Sequence, residues 1–131
     1  MSPSIEVRGL QAVVRKFGAI EPALRDNLRK AVEITARNIK DDAKKNLQGM
    51  VTPTVSHVWH LPATIQYQMS GNRYYVAAKV NAKGKQARFI GVIEYGSPTS
   101  APHPFLMPAA LFNRDDFLRG VRQAMKDAIN E

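Results

Sequence analysis

The chain has no cysteine among its 131 residues. That excludes a disulfide framework and a thiolate metal site, and it fits a reducing compartment. No run of about 18 apolar residues occurs, the length needed to span a bilayer. The opening MSPSIEVRGLQ has no basic region followed by an apolar one, so no secretory signal is expected. Aromatic residues are few, and tryptophan occurs once, as Trp59. The most informative absence is of acid: no Asp or Glu stands between Ala43 and Ile93.

That gap makes the charge uneven. The net charge is +8, divided as +4 over residues 1–47, +5 over 48–91 and −1 over 92–131. The middle segment has five bases and no acid. Such a block suits an acidic partner, either nucleic acid or an acidic protein face, or it is a solvated basic surface. Few aromatics stand between the bases, so a stacking surface for single strands is not evident.

What is present fits one domain over residues 1–131. SIEVRGL alternates apolar and polar residues, predicting a strand or extended arm over 1–10. LQAVVRKF then offers one or two helical turns before Gly18. Residues 21–47 form the strongest helix. Pro22 suits a first turn, and Leu24, Leu28, Ala31, Val32, Thr35, Ile39, Ala43 and Leu47 make one apolar stripe. At 1.5 Å per residue this helix would be roughly 40 Å long, ending at Gly49. MVTPTVSHVWHLP reads as a loop or a β-excursion between Pro53 and Pro62. Over 63–96, ATIQYQM, YYVAAKVNA and ARFIGVIEYG read as three antiparallel strands joined by SGNR and KGKQ turns. An extended Pro-rich loop over 97–107 leads to a C-terminal helix over 108–130, with a restart at Asn113 or Asp115. Its apolar stripe is Phe117, Val121, Met125 and Ile129. The expected class is α+β: a long N-terminal helix and a C-terminal helix packed on a small antiparallel sheet.

Few residues suggest chemistry. His57 and His60 stand three apart, but the flanking prolines argue against a helix, and a third metal ligand is lacking; the nearest acids are Asp42 and Glu94. Ser56, Ser97 and Ser100 lack a nucleophile-elbow context. The SGN and KGK turns are not phosphate loops. Glu94, the lone acid in a basic and apolar neighbourhood, is a general base or a strand-end ion pair with Arg88 or a neighbouring subunit. Trp59, beside His60, is an interface anchor or a core plug.

The stretch VIEYGSPTSAPHPFLMPAAL, Val92 to Leu111, is the most unusual. Gly96 allows a backbone angle that other residues resist. Pro98, Pro102 and Pro104 each remove a donor, so the chain there is neither helix nor inner strand. It then delivers Phe105, Leu106 and Met107 to a helix that Pro108 can start. A stiff loop of this kind suits docking on another subunit, because little entropy is lost on ordering it.

This stretch resembles the end of a family of tail-component proteins of long-tailed bacteriophages. In that family an hEhG segment with a following Ser or Thr precedes, after a short variable loop, an xPxPFLxPAh segment, where h is apolar or aromatic. Val92, Glu94, Tyr95, Gly96 and Ser97 match the first half. Pro102, Pro104, Phe105, Leu106, Pro108 and Ala109 match the second. IEVRGL is similar to the family's opening strand, and AVEITARNIKDDAKKN to its long helix. LPATIQ stands where members show a TGxLxxSI-like segment, and here the Thr-Gly pair is absent.

The resemblance implies a structural virion protein of the neck or tail end, in the assembled particle and built in the host cytoplasm. It implies a homo-oligomeric, hexameric ring that joins head to tail or completes the tail. Its partners would be other neck, connector or tail-tube proteins, with DNA in the lumen as a further contact. No membrane, small-molecule substrate, cofactor or catalysis is expected. The interface residues on this reading are Trp59, His60, Glu94, Tyr95, Gly96, Pro102, Pro104, Phe105, Leu106, Met107 and Pro108. The charge alone offers an alternative, a basic nucleic-acid-binding domain.

Overall fold

The computed structural model describes residues 3–9, 22–49, 62–72, 75–84, 87–99 and 101–130. In chain order they form strand β1 (Ser4–Gly9), helix α1 (Pro22–Gln48), a 3-10 turn (Pro62–Thr64) and strands β2 (Ile65–Asn72) and β3 (Tyr75–Ala82). Three further helices follow: α2 (Ala87–Tyr95), α3 (Leu106–Phe112) and α4 (Arg114–Asn130). The class is α+β, with helices packed on a three-stranded antiparallel sheet of order β1-β3-β2. Among the described residues no helix is long and apolar enough to cross a membrane.

The sheet has one apolar face because its side chains alternate. Ile5 and Val7 of β1 sit opposite Val80 and Ala78, and Ile65, Tyr67 and Met69 of β2 sit opposite Ala82, Val80 and Ala78. These residues meet Leu28, Val32, Ala36, Ile39, Ala43 and Leu47 of α1 in the core. The face turned away carries Glu6, Arg8, Gln66, Gln68 and Lys79, all exposed. α1 stops where Gly49 donates its N–H to the Lys45 carbonyl at 3.2 Å. On its flank Tyr67 donates to Glu33 Oε1 at 3.2 Å, and Arg37 donates to the same oxygen at 3.5 Å. The Tyr67 hydroxyl above all, then Glu33 and Asp41, pushes the Arg37 guanidinium above its usual range.

α4 runs antiparallel to α1. Asn27 donates to the Ala124 carbonyl at 3.3 Å, and Gly120 lies against Ala31. Between α3 and α4 the chain breaks at buried Asn113, whose amide donates to the Ala109 carbonyl and to Asp42, each at 2.8 Å. The C-terminal helix expected over 108–130 with a restart at Asn113 or Asp115 is thus two helices, the first beginning at Leu106 and the second at Arg114. The extended loop accordingly ends before Leu106. The expected stripe is also corrected. Phe117 and Val121 pack on the core and Ala124 is buried within it, but Met125 and Ile129 are exposed. A row of every fourth residue drifts about 40° per step round a helix, so it leaves the buried face after two turns.

The largest correction concerns the third strand expected within 63–96. Residues Ala87–Tyr95 are helical, and the third strand of the sheet is β1. A short apolar run such as FIGVI fits either period. Tertiary pairing decides: β1 and β2 already occupy both edges of β3. As a helix, the run places buried Ile90 and Glu94 one turn apart on the same face, with half-buried Ile93 beside them.

Two glycines test this arrangement in opposite directions. At Gly71, φ is +150° and an added Cβ would lie 2.7 Å from the Tyr75 carbonyl oxygen. Gly71→Ala is expected to cost about 1–3 kcal/mol. At Gly120 an added Cβ would meet the Ala31 Cβ at an ordinary 3.5 Å. Gly120→Ala is expected to be neutral or stabilising by up to about 1 kcal/mol. Urea unfolding of both variants checks the pair.

Candidate functional site

The segment from Glu94 to Phe112 folds back on itself as an elbow. α2 ends at Gly96, which adopts φ +78° and donates its N–H to the Val92 carbonyl at 2.7 Å. The chain runs extended through exposed Pro102 and Pro104. Between them the His103 N–H donates to the Ile93 carbonyl at 2.7 Å, which holds the loop against α2.

Glu94 is the centre of the elbow. Only 6% of it is exposed. Its Oε2 accepts the backbone N–H groups of Phe105 at 2.8 Å and Leu106 at 3.0 Å. Its Oε1 accepts that of Met107 at 3.0 Å. The first four N–H groups of a helix have no partner within it. Here Phe105 is the N-cap of α3, so three of the four donors are taken by one side chain. The fourth position is Pro108, which has no N–H. The end of α3 is thus satisfied completely, and its dipole favours a carboxylate there. Phe105 makes no side-chain cap of its own.

This corrects the strand-end position expected for Glu94. Among the described residues it bonds to backbone donors, and it lies within a helix. The structure also divides the other expected interface residues. Phe105 is fully buried and Leu106 nearly so; both are core residues. The Phe105 carbonyl accepts a bond from the Asn46 amide at 3.1 Å, which ties the elbow to the end of α1. Tyr95 and Met107 are exposed, as is Pro108. Tyr95, Met107 and Leu111 border a hollow of about 450 Å³ whose floor includes Ile5 and Leu106. Trp59 and His60 lie outside the described residues, as does His57.

Leu111 and Phe112 were not singled out by sequence, yet both project into solvent, Phe112 with 78% exposure. Their signal was available: in a helix starting at Leu106, Met107 and Leu111 share one flank, and Pro108 and Phe112 the next. The outer surface of α3 is therefore apolar along its length. Asn46, Asp42 and Asn113 were missed because each acts through a hydrogen bond with a residue far along the chain. No family model, curated protein or solved structure matches this chain.

Replacing Glu94 by Ala leaves three backbone donors without an acceptor, at an expected cost of about 3 kcal/mol or more. Glu94→Gln keeps one oxygen and should cost about half as much. Phe105→Ala is expected to cost about 3–5 kcal/mol through the cavity it leaves. Urea midpoints rank the three variants, and a Glu94→Ala protein as stable as the parent would refute the capping role.

Proposed function

We propose that the chain is a structural subunit of the neck or tail end of a long-tailed bacteriophage, acting in a ring that joins head to tail or completes the tail. The observation that carries this reading is the elbow. The two halves of the motif resembling the phage family, around Glu94 and around Phe105–Pro108, form one bonded unit. That unit supports a surface of Tyr95, Met107, Leu111 and Phe112, all large and exposed. Contiguous exposed apolar surface of this kind is characteristic of interaction sites.

In this reading the elbow is a rigid docking element and the chain a building block, with no reaction to catalyse. A closed ring needs a heterologous interface, in which the apolar end of one subunit packs on a different surface of the next. Neck, connector and tail-tube proteins would contact the rings above and below. The described lysines of the acid-free block, Lys79 and Lys83, are exposed and free to face an acidic neighbour or DNA in the lumen. The alternative of a standalone nucleic-acid-binding domain has less support. On α1, Arg37 pairs with Glu33 and Lys40 with Asp41, which reduces the field that helix offers to phosphates.

Cryo-electron microscopy of the intact particle tests the proposal: ring density between portal and tail tube is expected. A protein that stays monomeric and is absent from any particle would overturn it. Phe112→Ser and Tyr95→Ser should leave thermal stability nearly unchanged while reducing incorporation into particles about tenfold or more. A salt series of DNA binding separates the alternative, which requires affinity to fall steeply with salt.

A further inference from the structure

β1 is an edge strand, paired with β3 on one side and with no described strand on the other. Charged side chains, proline or a bulge usually blunt such an edge, and the charges of β1 are one of each sign, Glu6 and Arg8. Ser4–Gly9 contains neither lysine nor proline, and its register with β3 runs without a break. We propose that this edge pairs with the same edge of a second copy of the chain, antiparallel about a two-fold axis at Val7.

Charge selects both partner and register. Glu6 and Arg8 are exposed on the outer face of β1 and already bond to each other at 2.9 Å. Pairing about Val7 sets Glu6 of each copy directly opposite Arg8 of the other. A slip that keeps the faces aligned moves the axis to Glu6 or to Arg8, and each sets like charges opposite one another, which is unfavourable. A slip of the other parity turns the apolar side chains of one strand to solvent. Only the Val7 register satisfies both faces.

On the inner face β1 rests on α1 and α3, and a hollow of about 400 Å³ between β1 and the α3–α4 pair is lined in part by Ile5, Val7, Leu111 and Phe117. Joining two sheets at β1 gives a six-stranded antiparallel sheet on one layer of helices, an ordinary two-layer arrangement.

This association is isologous, whereas the ring needs a heterologous contact, and Phe112 lies beside Asp42 and Asn46 of α1 rather than beside β1. It is therefore a form of the free subunit that goes beyond the neck reading. Sedimentation equilibrium of the full chain over a concentration series tests it, with circular dichroism to verify folding. The parent protein is expected to dimerise. Glu6→Arg sets arginines opposite one another and should raise the dissociation constant about tenfold or more. The double exchange Glu6→Arg with Arg8→Glu restores opposite charges and should return it to within about threefold of the parent. Should Glu6→Arg fail to fold, Arg8→Glu sets glutamates opposite one another and carries the same expectation. A strictly monomeric parent, a dimer indifferent to Glu6→Arg, or a double exchange that restores nothing would overturn the proposal. A hexamer insensitive to all these substitutions would also overturn it while supporting the ring. A charge-sensitive dimer absent from particles would support the pairing and count against the ring.

Discussion

The structure beyond α2 depends on one carboxyl group. Glu94 binds three successive backbone N–H groups, and Pro108 removes the fourth donor of that helix end. This sets where α3 begins. It also sets which side of the chain turns inward, so Phe105 and Leu106 enter the core while Met107 remains outside. α3 in turn delivers Asn113 to Asp42 on α1, and that contact fixes the break from which α4 returns along α1. A helix of seven residues has little stability of its own. Its place is given by the capping side chain and by the core beneath it.

The same interaction explains why the two halves of the motif are separated by a stretch with little sequence signal. Glu94 recognises main chain, so the residues it binds are constrained by burial rather than by polarity. The loop between Gly96 and Pro104 has only to cross from one helix to the next, held at His103 by a backbone bond to Ile93. The apolar groups left on the outer side of α3 do not contribute to this internal order. They form a surface distinct from the polar outer face of the sheet, where Gln66, Gln68 and Lys79 stand.

Much of this was readable from sequence, for physical reasons that differ by element. α1 declared itself through six turns of consistent periodicity between Pro22 and Gly49, a signal too long to arise from a strand. β2 and β3 are legible from their alternation, but the Ser-Gly-Asn that reads as a turn is the paired end of β2, with Ser70, Gly71 and Asn72 opposite Ala77, Val76 and Tyr75. The segment from Ala87 to Tyr95 is not, since five consecutive apolar or glycine residues carry no period that separates helix from strand. The opening strand was recognised, but not its place beside β3, because pairing over that sequence distance leaves no local mark. At the site, Glu94 stood out as an isolated acid. Its role did not, because its partners are backbone groups, whose sole trace in the sequence is the proline at the fourth position. Phe105 reads from sequence as an intersubunit or a core anchor, and only the closure of the elbow onto α1 decides for the core.

The order of elements along the chain bears on how the protein emerges during synthesis. β1 precedes the other described elements but pairs with β3, so Ile5 meets Val80 only after α1 and β2 have been made. α1 precedes the other described helices, yet its neighbour α4 follows them all, and Asn27 waits for Ala124. Contacts so distant in sequence slow folding, since a large loop must close before any of them forms. The sheet can cover the apolar stripe of α1 once β3 is made, but the flank at Asn27 and Ala31 waits for α4. Until then that flank is exposed, the condition under which chaperones engage their clients.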